Sequence, residues 1–352
     1  MGGWVYALRA SDGVLAWRFL AAPQDRQVGV FNQLESVWPV HGAVLVQNET
    51  LYVAAGRSTY LDGGIVLYRI DPITGKELSH EVVSFIDPET DRQTGKEDKK
   101  IYGNDMEGTT TDILCGDGES VFMKHLHFNR EGKRTEELKP HLLSVTGLLI
   151  DDWFVRTYWL LDSEISGGWG AWATAAGRSP SGRILSFDAK QVYGYGRPNP
   201  QNGRVGHRAN QYVLFREENP IADATSGSHT PAASNAAEEA GPWSKEISLV
   251  VRAMVLANDK LVIAGPPDVA EKSEGILSYL NEENALASRR GDKGSLLQIV
   301  SAENGELLAG YELDCTPIFD GLATAGGRLY LSTQEGRVVC YGENRPRHDL
   351  PK

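Results

Sequence analysis

The chain has 352 residues, of which 41% are hydrophobic and 23% charged, and its formal net charge is −12. These proportions are ordinary for a soluble globular protein, whereas the negative charge argues against nucleic acid or an anionic membrane surface as a partner. No run of 18 apolar residues predicts membrane insertion, and the first residues, Met1 to Trp4, do not read as a signal peptide.

A short polar turn recurs along the chain, each time after an apolar strand and before a second short strand. One copy turns at residues 188–190 and a sixth, degenerate copy covers residues 336–341. The remaining four turn at Gly13, Gly75, Gly132 and Gly305. Most copies are about sixty residues apart, which is the spacing of a structural repeat.

A second recurring element lies between these turns and reads as a β-hairpin. Its bend carries Asn, Asp or Gly, the residues that accept a positive φ or bond to their own backbone. The bends fall at Asn48, Gly118, Asp151, Asn258 and Gly326. One repeat is therefore an inner hairpin followed by an outer hairpin, which predicts an all-β propeller of four-stranded antiparallel blades, about five to six in number. A β-sandwich is the alternative.

The two ends of the repeat array do not match. The first repeat supplies only an outer hairpin, Trp4 to Phe19, while the last already has its own third strand. We favour an arc of a larger propeller, with an N-terminal propeller segment missing, over a self-closed ring of five or six blades. The interval between Gln191 and Gly305 reads as one repeat with insertions.

The domain prediction is a single propeller over residues 1–345, with a C-terminal tail at 346–352. Three inserted loops interrupt it, at residues 163–181, 219–245 and 266–293. The second is rich in Ala, Ser, Glu and Gly, which is typical of a mobile loop. The third includes residues 276–287, which have the composition of a short helix.

Residues 7–17 read Ala-Leu-x-Ala-x-x-Gly-x-x-x-Trp, a pattern that resembles the repeat of pyrroloquinoline-quinone-type propellers. That group contains quinoprotein alcohol dehydrogenases and a non-enzymatic propeller of the bacterial outer-membrane assembly machinery. The chain further resembles large planctomycete-type propeller proteins at residues 33–42, 55–64, 154–159 and 175–185. The resemblance implies the propeller fold and a periplasmic or other extracytoplasmic location, and it leaves the activity open.

Pyrroloquinoline quinone with calcium is the cofactor that this resemblance implies. Quinone enzymes of the group carry two adjacent cysteines over the cofactor and hold the metal through Glu, Asn and Asp. Here the three cysteines, Cys115, Cys315 and Cys340, are far apart, and no such acidic set can be matched. We therefore expect no cofactor and reduced structural cysteines.

The loop from Gln33 to Gly42 enters an innermost strand and carries three candidate ligand-binding residues. Glu35 has the chemistry of a base, Trp38 that of a stacking platform and His41 that of a proton carrier. The alternative is structural: Trp38 packs between blades and His41 caps a turn. The next loop offers Arg57 and Asp62, which suit a carboxylate or a sugar, or else pair with each other to fix a glycine-rich loop.

Aromatic residues beside arginines make the best candidate surface site, because such faces suit flat rings and carbohydrates. Its members are Arg156, Trp159, Trp169, Trp172 and Arg178. Inter-blade packing is the alternative for Trp159.

Two groups of residues have side chains of the metal-ligand type. Asp105, Glu107 and Asp112 form an acidic cluster whose spacing matches no calcium loop. His125 and His127 are two apart on a predicted strand, and an exposed strand face is favoured over a metal site for them.

A repeat without a catalytic motif favours a non-catalytic scaffold that binds a protein, peptide or glycan. Two alternatives stay open: a quinone-dependent oxidoreductase, which rests on the resemblance, and a glycan-processing lyase or hydrolase, which rests on the aromatic and carboxylate loops. Whether the chain is an enzyme is left undecided.

Overall fold

The computed structural model describes residues 2–30, 32–41, 44–94, 108–111, 113–137, 139–144, 159–162, 180–196, 212–221, 241–269 and 281–342. The chain divides into two compact units, Met1–Leu148 with Trp159–Ser179 and Leu149–Tyr158 with Pro180–Lys352. The single domain expected over residues 1–345 stays a prediction. Among the described residues, no helix has the length and apolar character that crossing a membrane requires.

The described part of the first unit consists of short antiparallel strands. Two pairs come first: β1 (Trp4–Leu8) with β2 (Leu15–Leu20), and β3 (Gln27–Val30) with β4 (Gln33–Ser36). Two four-stranded sheets follow: β5 (Leu45–Gln47), β6 (Thr50–Ala55), β7 (Ile65–Ile70) and β8 (Glu77–Val83), then β9 (Cys115–Gly116), β10 (Val121–Met123), β11 (Leu126–Phe128) and β12 (Arg134–Thr135). The unit also contains the pair β13 (His141–Ser144) and β14 (Trp159–Asp162).

The second unit begins with the short strand β15 (Ser181–Gly182) and then has two four-stranded sheets. The first contains β16 (Ile184–Phe187), β17 (Gln191–Gly196), β18 (Val213–Glu218) and β19 (Trp243–Lys245). The second contains β20 (Ala253–Ala257), β21 (Lys260–Gly265), β22 (Ser295–Ser301) and β23 (Leu307–Leu313), with helix α1 (Glu282–Arg290) between its second and third strands. The final sheet has three described strands, β24 (Pro317–Ala325), β25 (Arg328–Thr333) and β26 (Val338–Tyr341).

Each four-stranded sheet pairs its strands in chain order, and every neighbouring pair is antiparallel. Such a four-stranded meander is the blade of a β-propeller. The fold is all-β and of the β-propeller class, as the sequence predicted. Aliphatic and aromatic side chains fill the space between successive sheets, including Tyr52, Leu67 and Phe128 in the first unit and Leu214 and Ile263 in the second.

Three of the outer turns have one hydrogen-bond pattern. The N–H of the first turn residue donates to the carbonyl oxygen of the residue five positions later. The carbonyl oxygen of that first residue accepts from the N–H of the glycine four positions later. The three sets are Arg9 with Val14 and Gly13, Asp71 with Lys76 and Gly75, and Ser301 with Glu306 and Gly305. The φ angles of the three glycines are 71° or 72°, and each preceding strand shifts register by a bulge. Two of these turns follow β7 and β22, which are the third strands of their blades. Because the first turn follows β1, that strand also has the position of a third strand.

A tryptophan closes over two of these turns. The Trp17 indole N–H donates to the Pro72 carbonyl at 3.1 Å, and the Trp243 indole N–H donates to the Ala302 carbonyl at 3.2 Å. A Cβ atom on Gly75 would lie 2.6 Å from the Trp17 ring, and one on Gly305 would lie 2.8 Å from the Trp243 ring. Glycine is therefore required twice over, for its positive φ and for the space under the ring.

The structure corrects the prediction for residues 188–245. The turn at Asp188 joins β16 to β17, so it is an inner bend and not an outer one. The interval from Gln191 to Gly305, predicted to be one repeat with insertions, therefore contains strands of two four-stranded sheets, β16–β19 and β20–β23. Residues 243–245, expected in a loop, form β19, which pairs with β18. The helix expected at 276–287 is present as Glu282–Arg290, with residues 270–280 outside the described part.

Candidate functional site

The loop between β6 and β7, residues 56–64, carries two predicted site residues and is tightly fixed. A Cβ atom on Gly56, which has φ of 139°, would lie 2.8 Å from the Gly64 carbonyl oxygen, so the two ends of the loop nearly touch. Thr59 is fully buried, its N–H donates to the Thr109 carbonyl at 2.9 Å, and its hydroxyl oxygen accepts from the Thr109 N–H at 2.9 Å. The loop is therefore a rigid support for the side chains that it presents.

Arg57 and Asp62 form an ion pair within this loop. Arg57 Nη2 and Asp62 Oδ2 are 2.7 Å apart, and the side chains keep 31% and 20% of their surface exposed. The Trp38 indole N–H donates to the backbone carbonyl of Asp62 at 2.9 Å. Trp38 itself is buried in the core beside Val5 and Val37, so it is an anchor for the loop and not an exposed stacking platform.

His41 lies half-buried near the same group of charges. Burial lowers the pKa of His41; the Glu35 carboxylate acts in the opposite direction, and the Arg57 guanidinium lowers the pKa further. The structure therefore brings two predicted loops together. They contribute Glu35, Trp38 and His41 from the first loop and Arg57 and Asp62 from the second. We refer to these five residues as the His41 cluster.

The His41 cluster combines two acidic and two basic or titratable side chains around one loop. Arg57 Nε is buried and has no hydrogen-bond acceptor among the described residues.

Two observations on the described residues concern a calcium-bound quinone. No group of three or more His, Cys, Asp or Glu comes together among the described residues. Cys115 lies in β9, Cys315 precedes β24 and Cys340 lies in β26, so no two cysteines are adjacent. The acidic candidates Asp105, Glu107 and Asp112 lie outside the described residues.

One member of the aromatic candidate site is described. Trp159 lies in β14 and is buried, as are its neighbours Leu160 and Leu161. Its side chain is therefore not part of an exposed surface. The other candidates, Arg156, Trp169, Trp172 and Arg178, lie outside the described residues, and the surface site stays a prediction.

Sequence reasoning missed a buried aromatic stack in the first unit. The Phe122 ring stacks on His127 at 5.0 Å and on His141 at 3.9 Å between ring centroids. The two ring nitrogens of His141 lie 2.6 Å from the carbonyl oxygens of Lys139 and Lys124. His127 is buried in β11 and His125 precedes that strand, so the predicted exposed face carrying both histidines is wrong. The stack packs β10 and β11 against β13.

A cleft of about 970 Å³ lies in the second unit between sheet β20–β23 and sheet β24–β26. Its walls are mostly aliphatic, with two tyrosines and one charge of each sign. They include Leu256, Val262, Leu297, Ile299, Tyr311, Glu312, Ala325, Arg328, Leu329 and Tyr341. A mostly apolar cleft with a few polar groups is typical of a binding site. We refer to it as the β23–β26 cleft.

No protein-family model matches the chain, and no curated protein matches it. Solved structures that resemble it include BamB from Moraxella catarrhalis, with 11% identity over 97% of this chain and 79% of that one, at a TM-score of 0.45. The dihydro-heme d1 dehydrogenase NirN has 11% identity over 97% of this chain and 59% of that one, at a TM-score of 0.44. Quinohemoprotein alcohol dehydrogenase from Comamonas testosteroni has 12% identity over 94% and 60%, at 0.42. These likenesses are too distant to carry a functional argument.

Proposed function

We propose that the protein is a non-catalytic propeller scaffold that binds an extended segment of a partner protein in the β23–β26 cleft. The observation that carries the proposal is this cleft beside a sheet with three described strands. In the described residues β26 pairs with β25 alone, so its other edge offers backbone donors and acceptors. Tyr341 at the end of β26 also lines the cleft.

An extended peptide fits both features at once. Its backbone would pair with β26, and alternate side chains would point into the apolar cleft, which is how strand addition combines affinity with specificity. Glu312 and Arg328 provide opposite charges at the cleft for polar groups of the peptide. Exposed side chains on the neighbouring strands, Val338 and Tyr311, extend the apolar surface. The segment should therefore carry aromatic or aliphatic anchors at every second position.

The contacts of the His41 cluster are those of an ordered loop. Asp62 is engaged by Arg57 and Trp38, and these contacts fix the loop between β6 and β7. An extracytoplasmic location is proposed from the sequence resemblance.

A selection of random peptides on the folded chain tests the proposal. Peptides with alternating apolar residues should be enriched, and they should lose binding to an Ala325→Trp variant, in which the new side chain fills the cleft. Leu308→Trp is the matched control, because Leu308 is exposed on β23 and does not line the cleft. Equal binding to both variants would refute the cleft as the site. Dye-linked alcohol oxidation after loading with pyrroloquinoline quinone and calcium would refute the non-catalytic proposal.

A further inference from the structure

The outer strands of four sheets share one position. In three of them it is the residue paired with the third-strand residue just before the register shift. These pairs are Trp17 with Ala7 in β2, Ser79 with Arg69 in β8 and Ala309 with Ile299 in β23. In β19 the position holds Trp243, which pairs with Arg216. Arg216 and Ile299 are equivalent because each stands three residues before the residue whose N–H donates to the inner bend, Asn219 to Lys190 and Ala302 to Asp259.

In three of these sheets a large side chain, at this position or paired with it, covers the next outer turn. The indole rings of Trp17 and Trp243 lie over the glycines of the turns that follow. Where the position holds Ser79, the paired Arg69 takes the place of the ring. A Cβ atom on Gly132 would lie 2.8 Å from Arg69 Cδ, and Arg69 Nη1 donates to the Ser79 hydroxyl oxygen at 3.3 Å. Each filled position therefore closes the outer end of a contact between two sheets.

The fourth position holds Ala309, whose methyl group is too small to cover the next sheet. Its cross-strand partner Ile299 lines the β23–β26 cleft. Tyr311, two residues further along the same face of β23, lines it as well. The cleft therefore opens at the place where the other sheets carry an indole ring or an arginine side chain.

Tyr341 in β26 lies at the strand position that the tryptophans cover elsewhere. Each residue at this position pairs with a leucine that is second in the neighbouring strand, and the pairs are Tyr341–Leu329, Ile70–Leu51 and Val300–Leu261. Ile70 packs in the same core as Trp17, and it is 0% exposed. Val300 packs in the same core as Trp243, and it is 2% exposed. Tyr341 is 36% exposed and lines the cleft, so this face of β26 is accessible.

We propose that a tryptophan side chain of the partner's segment enters the β23–β26 cleft beside Ala309 and takes the place of the equivalent indole ring. The inference rests on the proposed function and names the anchor residue of the partner. The aliphatic walls suit an aromatic ring, which buries about 150–250 Å² in such a site. Glu312 and Arg328 carry opposite charges, so the cleft offers no net attraction to a guanidinium group like that of Arg69.

The first test supplies the ring from the chain itself. Ala309→Trp should raise the urea midpoint, because its indole covers Tyr341, and it should weaken the selected peptides at least about tenfold, because it occupies the anchor position. Leu308→Trp is the matched control and should change neither quantity. Leu308 is the neighbouring residue, is 53% exposed and does not line the cleft.

The second test changes the ligand and leaves the chain intact. Selected peptides should share a tryptophan at one fixed position, and its replacement by alanine should weaken binding at least about thirtyfold. Replacement of the next peptide residue, which points away from the cleft, should weaken binding less than about threefold. N-acetyltryptophanamide alone should shift the NMR signals of the Tyr311 and Tyr341 rings, which line the cleft. It should cause no such shift in the Ala309→Trp chain.

The outcomes distinguish a failure of this inference from a failure of the proposed function. Peptides that bind in the cleft without a preference for tryptophan would overturn the inference and leave the proposed function standing. Shifts of the two tyrosine rings without any selected peptide would overturn the proposed function and support the indole site. Peptide binding that Ala309→Trp does not weaken would overturn the inference. Ring shifts that follow the chain concentration alone would overturn it too, because a second copy would then be the occupant.

Discussion

The indole ring of Trp17 lies directly over Gly75, so that a Cβ atom at position 75 would be 2.6 Å from the ring. Trp17 belongs to β2 and Gly75 to the outer turn of the next sheet, and the indole N–H also donates to the Pro72 carbonyl at 3.1 Å. One tryptophan thus fixes how two neighbouring sheets of the first unit dock.

Gly75→Ala should destabilise the chain more than Gly13→Ala. Both glycines have nearly the same φ, 71° and 72°, so both variants lose about 1–2 kcal/mol to the left-handed backbone. Gly13 has no atom within 4 Å of the added methyl group, whereas Gly75 has the Trp17 ring, which adds about 1–3 kcal/mol of overpacking. Urea unfolding of the two variants measures the difference, and equal losses would show that the ring does not constrain the turn.

Trp38→Phe should cost more stability than Asp62→Asn. The first removes the indole donor and leaves the Asp62 carbonyl without this bond, which costs about 1–2 kcal/mol. The second keeps that carbonyl and the left-handed backbone at residue 62, and it breaks only a partly exposed ion pair worth about 1 kcal/mol or less. Urea midpoints in the reverse order would mean that the ion pair, and not the indole, fixes the loop.

The pKa of His41 should move in opposite directions in two charge variants. Burial lowers this pKa below its ordinary value of 6.5, Glu35 raises it and Arg57 lowers it. Glu35→Gln should therefore lower the pKa further, and Arg57→Gln should raise it. Titration of the imidazole signals by NMR measures both shifts, and shifts of the same sign would place His41 outside the reach of these two charges.

The same lowered pKa gives the stability a definite dependence on pH. Because unfolded His41 binds a proton more readily than folded His41, its contribution is complete above pH 6.5 and is lost as the pH falls through the folded pKa. His41→Gln should remove this part of the acid sensitivity. Denaturant unfolding at several pH values below 6.5 tests this, and parallel profiles for the two proteins would contradict it.

Local chemistry explains which parts of the fold were predictable. The outer turns were recognised because a glycine with positive φ must stand at a fixed distance after an apolar strand, as Gly13, Gly75 and Gly305 do. The turn at Asp188 has a similar sequence pattern but no glycine. Its carboxylate accepts from the Lys190 and Gln191 N–H groups, both at 2.8 Å. Such a side-chain cap suits an inner or an outer bend, so the sequence pattern alone predicted an outer turn where the structure has an inner one.

Contacts between distant segments account for what was missed. Arg57 and Asp62 lie in one short loop, and their pairing could be weighed from the sequence. The stack of Phe122 on His141 joins two sheets, and the alternation of apolar and polar residues along the strands does not predict such a contact. The β23–β26 cleft depends on how two sheets pack, which is set by long-range geometry. The apolar run at residues 212–215, in contrast, is local and marks β18 in the sequence itself.

The most direct test of the scaffold account is a calorimetric titration of the folded chain with the peptide most enriched by selection. The account predicts saturable binding that Ala325→Trp weakens at least about tenfold, or about 1.4 kcal/mol, and that Leu308→Trp leaves unchanged. Binding that both variants retain, or no saturable binding to a chain shown to be folded, would contradict it.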